Sequence, residues 1–369
     1  MKLKRIKLII FHPYSMVGGA DKSISRLING LSEKKYEIIF ITLGEPSIKF
    51  YLKKKIRFIK IFSSKTIFAV PKIREFLKKI PLNEKVIFFS NQNFANIISF
   101  LILYDLKHIK QIIMERNHID EFKYPNNKID LIKKKIIKIL MIILYKKADL
   151  ILGNAKKLSE DLSTMINAKV KTLYNPAFDS DILKFSKKII KNIDQKNIIL
   201  NIGRLEIQKD QITILKAIKD IDEIFLIIIG YGSKKDLLNN FIKKNGLKKK
   251  VIILDKILNP YPYYKKCDLF VMSSLYEGFP NVLTEAAMFK LPIISSNCNS
   301  GPSEILLQNK GIQIFEKGNH EDLKKKINNF FKNKKSILNR RSLISRKLKR
   351  FDKKKIISQY DEIFTSIFN

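Results

Sequence analysis

The chain carries a succession of short runs rich in Ile, Leu, Val and Phe: KRIKLIIF, YEIIFITL, VIFFS, KQIIM, ADLILGN and KVKTLYN, then NIILNIG, IFLIIIG, KKVIILD, DLFVMSS and LPIISS. They read as continuous apolar runs, without the alternation of apolar and polar residues that a strand with one wet face would show. Strands buried on both faces read this way, and such burial arises where helices cover both sides of a parallel sheet. Segments such as ADKSISRLINGLSE, with apolar residues at helical spacing, stand between the runs. The expected fold is α/β, with doubly wound parallel sheets. The strand and helix rhythm lapses from about Asn175 to Asn197, after which a second series begins. A chain of 369 residues suits two domains better than one. The expected division is 1–180 as one Rossmann-like domain and 181–369 as another, the latter with a basic helical tail from about Asp322 that can pack back on the first. Two such halves leave a cleft, and ligands bind beyond the carboxyl ends of the strands.

A net charge of +38 would steer a polyanion or an anionic membrane surface towards the chain. Lys, Ile and Asn are inflated together, however, and Lys is spread through every segment, so the same figure reads as a composition bias. Cys267 and Cys298 have neither metal-ligand nor disulfide spacing, which suits a reducing cytoplasm. The start MKLKRIKLIIFHPYS has a basic lead, but His12 and Pro13 interrupt its apolar stretch, so no signal peptide is expected. The uncharged run Val86 to Tyr104 contains Ser90, Asn91, Gln92, Asn93, Asn96 and Ser99. It reads as a strand, a turn and a helix from about Phe94, and no transmembrane helix is expected. Two stretches are both basic and greasy, Phe50 to Phe62 and Lys128 to Lys147. Either could rest on an anionic leaflet, where each cation contributes about 1 kcal/mol, or form core structure with snorkelling lysines.

In SLYEGFPNVLTEA, Glu277 lies in a strand-to-helix loop and Glu285 lies a turn and a half into a helix beginning near Pro280. Nothing in this spacing joins the two acids as a hydrolytic pair. The amides of Asn281, Val282 and Leu283 suit an anion, and a carboxylate on each side can accept bonds from sugar or ribose hydroxyls. The alternative is an ordinary capped helix with solvated acids. In NIGRLEIQKDQITILKAI, a strand ends at Gly203, and Arg204 and Lys209 stand at the mouth of the following loop. Two cations there can clamp a diphosphate or be plain solvated residues. Other motifs fail: GGADKS has Asp21 where a P-loop needs glycine, and GYGSKK lacks the third glycine of a dinucleotide fingerprint. His12, His108, His118 and His320 show no metal-ligand spacing.

Taken in order, GRLEIQKD with LKAI, IIGYGS, SSLYEGFPNVLTEA and LPIISSNCNSGPSEIL resemble the retaining GT-B glycosyltransferases of family 4, over nearly all of Asn197 to Leu306. The first half is similar more loosely, through strand 1 followed by GGA and through MERNH, YKKADLILGN and LYNP. The resemblance implies a nucleotide-sugar donor, with UDP-sugar first among candidates, and no metal or other cofactor. It implies that Arg204 and Lys209 hold the diphosphate, Glu285 the ribose and Glu277 the donor sugar. Gly203 precedes these cations, and Gly278, Phe279, Pro280, Asn281 and Val282 surround sugar and phosphate. Gly18 and Gly19 would let the first loop approach the diphosphate, and the base would lie near Lys256 to Asn259. His118 is the nearest candidate for the family's N-domain histidine, with Glu115 and Arg116 as competitors. One departure stands out: Lys290 occupies a position where the family has glycine, which costs about 1 kcal/mol if the backbone is left-handed. The implied acceptor is lipid-linked or a saccharide, in cell-surface polysaccharide or glycolipid synthesis, at the cytoplasmic face of the membrane with possible peripheral contact to anionic lipid. The alternatives are a phosphorylase or transferase acting on a soluble sugar phosphate, a dead scaffold of the same fold and, from another class, a basic nucleic-acid-binding protein. The last would show aromatic residues interleaved with basic ones, which the chain lacks, so no specific nucleic-acid partner is expected.

Overall fold

A computed structural model describes residues 4–16, 18–187, 195–255, 257–306, 312–334 and 348–369. The chain divides into two compact units, Met1–Pro176 with Lys353–Asn369, and Ala177–Asp352. One cut falls near the expected division at 180, and a second precedes Lys353, the start of the tail segment that belongs to the first unit.

In the first unit the strands are β1 (Ile6–Phe11), β2 (Tyr36–Thr42), β3 (Arg57–Lys60), β4 (Val86–Asn91), β5 (Ile109–Glu115), β6 (Leu150–Gly153) and β7 (Lys171–Thr172). Among the described residues they form one parallel sheet in the order β3-β2-β1-β4-β5-β6-β7. Its register pairs Leu8 with Ile87 and Ile10 with Phe89. Leu8, Ile10, Ile87 and Phe89 enter one apolar cluster, while Ile9, Phe11 and Phe88 enter another. Successive side chains point to opposite faces of a strand, so both faces are covered, which is why IKLIIF reads as an unbroken apolar run.

The second unit contains β8 (Ile198–Ile202), β9 (Phe225–Ile229), β10 (Val251–Leu254), β11 (Leu269–Met272), β12 (Ile293–Ser296) and β13 (Ile312–Phe315). The order is β10-β9-β8-β11-β12-β13, parallel throughout the described residues. Strand order reverses between β1 and β4 in one sheet and between β8 and β11 in the other. Such switch points open a crevice at the carboxyl ends of the strands.

The terminal helix Lys353–Ser366 belongs to the first unit and buries Ile356, Ile357, Tyr360, Ile363 and Phe364. Phe364 meets Phe89 edge-on at 5.6 Å, and Asp361 accepts from Lys35 and from the Tyr36 hydroxyl, each at 2.6 Å. Glycine at position 30 makes room for it, since a Cβ there would stand 2.1 Å from Ile357 Cδ1. Of the apolar residues singled out in the tail, Leu348 and Phe351 are buried, whereas Ile337, Leu338, Leu343 and Ile344 lie outside the described residues.

Two strands were not anticipated. β3 falls inside the basic stretch Phe50 to Phe62 and is an edge strand, with Arg57 and Lys60 exposed at its ends and Phe58 half-buried against Phe40 at 5.7 Å. β13 is the edge at the far side of the second sheet. The other basic stretch is the helix Lys128–Leu144, capped by the Asn127 side chain and burying only Met141. Ile129, Ile132, Ile136, Ile139 and Ile143 stand exposed on it, so it is not a core helix. Among the described residues no helix is long and apolar enough to cross a membrane.

Candidate active site

Four loops meet at the carboxyl edge of the second sheet. The loop after β8 contains a short 3-10 turn, Ile207–Lys209, and returns through Asp210 at φ 45° into the helix Gln211–Ile218. Burial pushes the Asp210 carboxyl up to about 6, and that carboxyl accepts from Thr213 Oγ1 at 2.6 Å. This loop lies on the one after β9: a Cβ at Gly230 would stand 1.9 Å from the Gly203 carbonyl oxygen. At Gly203 itself a Cβ would crowd the Lys209 side chain at 3.3 Å, so glycine leaves the lysine stem its course. Gln208 then sews the loop to the one after β11, accepting from Leu275 N through its carbonyl at 2.8 Å and donating Nε2 to the Tyr276 carbonyl at 3.0 Å.

These contacts bring Lys209 and Glu277 together, as an ion pair through Oε1. The Ser274 hydroxyl donates to the same oxygen at 2.7 Å. Glu277 is buried, so the lysine compensates a carboxylate that would otherwise be costly to desolvate, and Oε2 keeps its acceptor capacity. Arg204 is exposed. Its Nη2 donates to Gln208 Oε1 at 3.0 Å, and among the described residues no carboxylate pairs with it. Two cations thus stand at one loop, one tethered by an acid and one by a neutral amide.

The helix Asn281–Met288 follows, with Pro280 as its N-cap and not its first residue. Glu285 is 1% exposed and accepts from the Tyr264 hydroxyl at 3.1 Å, so the two glutamates end in different hydrogen-bond networks. Gly301, at φ +93°, lets the loop after β12 press on this turn: a Cβ would meet the Gly278 carbonyl at 2.5 Å and Pro280 Cδ at 2.4 Å. Ser300 Oγ donates to that carbonyl at 3.2 Å, and Phe279 is fixed edge-on to Phe351 at 4.9 Å. Val282 is half-buried. The helix ends on Lys290 at φ 55°, with Leu291 N bonded to the Ala286 carbonyl and Lys290 N to that of Ala287, each at 3.0 Å. This is the left-handed helix end that favours glycine. Gln208, Ser274, Tyr264, Gly230 and Gly301 were not among the residues singled out from the sequence. Lys256 lies outside the described residues.

At the edge of the first sheet the expected glycine pair behaves differently. Gly18 is extended, at φ −167°, and caps the helix Gly19–Gly30. A Cβ there would meet only the Met16 carbonyl, at 3.7 Å, so the fold alone does not demand glycine. The loop is staked instead by buried Asp21, which His12 Nε2 approaches at 3.0 Å and the Ser15 hydroxyl at 3.2 Å. His118, 1% exposed, uses both ring nitrogens locally: Nε2 lies 2.8 Å from Asp161 Oδ2 and Nδ1 accepts from Asp120 N at 3.2 Å. Of its competitors, Glu115 is buried with the Tyr145 hydroxyl and the Asn96 amide on Oε1, and burial pushes its carboxyl up to about 8. Arg116 is buried among neutral side chains. Among the described residues no group of three or more His, Cys, Asp or Glu could hold a metal ion.

Comparison with known proteins agrees with this layout. The Glycosyl transferases group 1 family profile matches residues 184–350. Over 353 residues, 92% of this chain and 94% of the other, the chain is 25% identical to a Campylobacter jejuni N-acetylgalactosamine-N,N'-diacetylbacillosaminyl-diphospho-undecaprenol 4-alpha-N-acetylgalactosaminyltransferase. An amylovoran biosynthesis glycosyltransferase of Erwinia amylovora is 27% identical over 307 residues, 81% of this chain and 83% of the other. Among solved structures, Anabaena HepE in complex with UDP and glucose superposes with a TM-score of 0.79 at 17% identity, covering 97% of this chain and 99% of the other. The sucrose-phosphate synthase of Thermosynechococcus elongatus gives 0.79 at 14% identity, covering 99% of each. With two doubly wound sheets of this topology the chain has the GT-B fold, and its second unit is similar to the group 1 glycosyl transferases.

Proposed function

We propose that the chain is a retaining glycosyltransferase that moves a sugar from a UDP-sugar to a lipid-linked acceptor and takes up the leaving group's charge with its own cations and amides, needing no metal. The observation that carries this reading is the junction of Lys209, Glu277 and Ser274 beside an Arg204 whose guanidinium, among the described residues, is held by neutral Gln208 alone. An Arg fork with open donors suits a diphosphate, and its charge-assisted bonds are about twice as strong as neutral ones. Lys209 and the first amides of helix Asn281–Met288 add positive potential. Glu277 Oε2 accepts from hydroxyls of the donor sugar, and Glu285, oriented by Tyr264, takes the ribose.

As the bond between the sugar's C1 and the diphosphate oxygen breaks, these groups stabilise the charge on the departing nucleotide. The acceptor hydroxyl oxygen bonds to C1 on the same face, and its proton passes to a departing phosphate oxygen. His118, with one ring nitrogen on Asp161 and the other on the Asp120 amide, has a positioning role in this scheme. The lipid-linked acceptor is supported by the name of the Campylobacter jejuni relative, whose acceptor is a diphospho-undecaprenol. Exposed isoleucines and lysines on helix Lys128–Leu144 give that acceptor a membrane to be met on, since basic amphipathic helices rest on anionic leaflets.

The test is a thermal-shift screen with UDP, GDP and ADP, then with the matching sugar nucleotides, on the wild-type chain and on Arg204→Ala. Stabilisation by UDP and UDP-sugars that Arg204→Ala weakens is the expected result. Stabilisation by none of these nucleotides, or a shift by UDP that is indifferent to Arg204, would overturn the reading.

A further inference from the structure

Arg116 follows β5 and is 7% exposed, yet every partner of its guanidinium is neutral. Asn91 Oδ1 accepts from Nε at 3.0 Å and from Nη2 at 2.8 Å, Asn175 Oδ1 accepts from Nη1 at 3.0 Å, and the Ser23 hydroxyl stands 3.4 Å from Nη1. No carboxylate lies within ion-pair distance of it among the described residues. Asp21 and Glu115 act on it only through space; the first is committed to His12 and Ser15, and burial favours the neutral form of the second. A buried cation without a counter-charge is expensive, by several kcal/mol. Of the five donors of the fork, one on Nη2 has no partner. Beside it, Asn91 Nδ2 is fully buried and bonded to nothing. Ser23 sits in the helix Gly19–Gly30, so the guanidinium lies by that helix's opening turns at the carboxyl edge of a parallel sheet. All three features suit one kind of partner, an oxyanion.

We propose that Arg116, with the Asn91 amide and beside Ser23 of helix Gly19–Gly30, forms a binding site for a phosphoryl group. The proposal rests on the reading above, in which both substrates carry phosphate, and two sources share this chemistry: the donor's diphosphate and the phosphate of a lipid-linked acceptor. Binding restores to the arginine the counter-charge that its neutral amides lack.

The experiment is calorimetric titration of the full chain with UDP and, separately, with geranyl diphosphate, in the wild type, Arg116→Gln and Arg116→Lys. The expected result is at least a tenfold loss of affinity for one of the two probes in both variants, because Lys keeps the charge but not the fork. A loss confined to geranyl diphosphate assigns the site to the acceptor, and a loss confined to UDP assigns it to the donor. If Arg116→Gln does not fold, Arg116→Lys carries the same comparison. Unchanged affinity for both probes in a folded variant overturns the site while leaving the Arg204 reading intact; a wild-type chain that binds neither probe overturns both.

Discussion

The two sheets share a topology but treat charge at their carboxyl edges in opposite ways. In the second unit Arg204 is exposed, and Lys209 is matched by an acid one loop away. In the first, Arg116 is buried among amides, Asp21 is buried under His12 and Ser15, and Glu115 is shifted towards its neutral form. The surfaces differ as well. Most large apolar side chains left exposed, among them Phe50, Phe62, Phe68, Tyr104 and the isoleucines of helix Lys128–Leu144, belong to the first unit. The contrast is one of placement: one unit leaves an arginine exposed at its carboxyl edge, whereas the other buries its charge there and shows isoleucine and lysine on its surface.

The strongest way to break this contrast is Arg204→Ala. It should lower kcat by 100-fold or more, about 3 to 4 kcal/mol of transition-state stabilisation, with unchanged thermal stability because the side chain is exposed; steady-state rates with a UDP-sugar and a melting curve check both halves. Next comes Glu115. Burial pushes its folded carboxyl up to about 8, from an ordinary value of 4.5. Between those values the native state binds a proton that the unfolded chain has released, so stability falls as pH rises through this window. Glu115→Gln should flatten that slope, by several kcal/mol across the window, in denaturation series from pH 4 to 9.

A smaller effect sharpens the surface half of the comparison. Lys133→Glu with Lys138→Glu should weaken sedimentation with anionic vesicles by about 2 kcal/mol and leave UDP affinity as it was. Smallest is Lys290→Gly, which relieves a left-handed backbone at φ 55° and should stabilise the chain by about 1 kcal/mol in urea denaturation without altering turnover.

The parallel sheets were legible because strands covered on both faces announce themselves as unbroken apolar runs. β3 was not, since an edge strand such as RFIK is only half covered and its charges merged with the lysine run around it. In the candidate site, the loop after β8 and the turn after β11 could be read as phosphate- and hydroxyl-binding from their residue types, and the structure joins Lys209 to Glu277. What could not be read was the framework between them. Gln208, Gly230 and Gly301 matter only because β8 neighbours both β9 and β11 in space and β12 neighbours β11, an adjacency that no local pattern encodes. The same holds for Arg116: its partners Ser23, Asn91 and Asn175 come from three distant stretches, so its lack of a counter-charge appears only once the strand order is known.

The terminal helix has a consequence for biosynthesis. Ile356, Tyr360 and Phe364 close a hydrophobic layer whose other members, Ile28, Tyr36 and Phe89 among them, are made first. A ribosome releases the first portion of the polypeptide long before the last, so this layer stays uncapped while the intervening Rossmann unit, contiguous in the chain, can already assemble. Closure of that layer therefore waits for Lys353–Ser366 to emerge, and a nonsense codon just ahead of Lys353 would damage a region synthesised long before it.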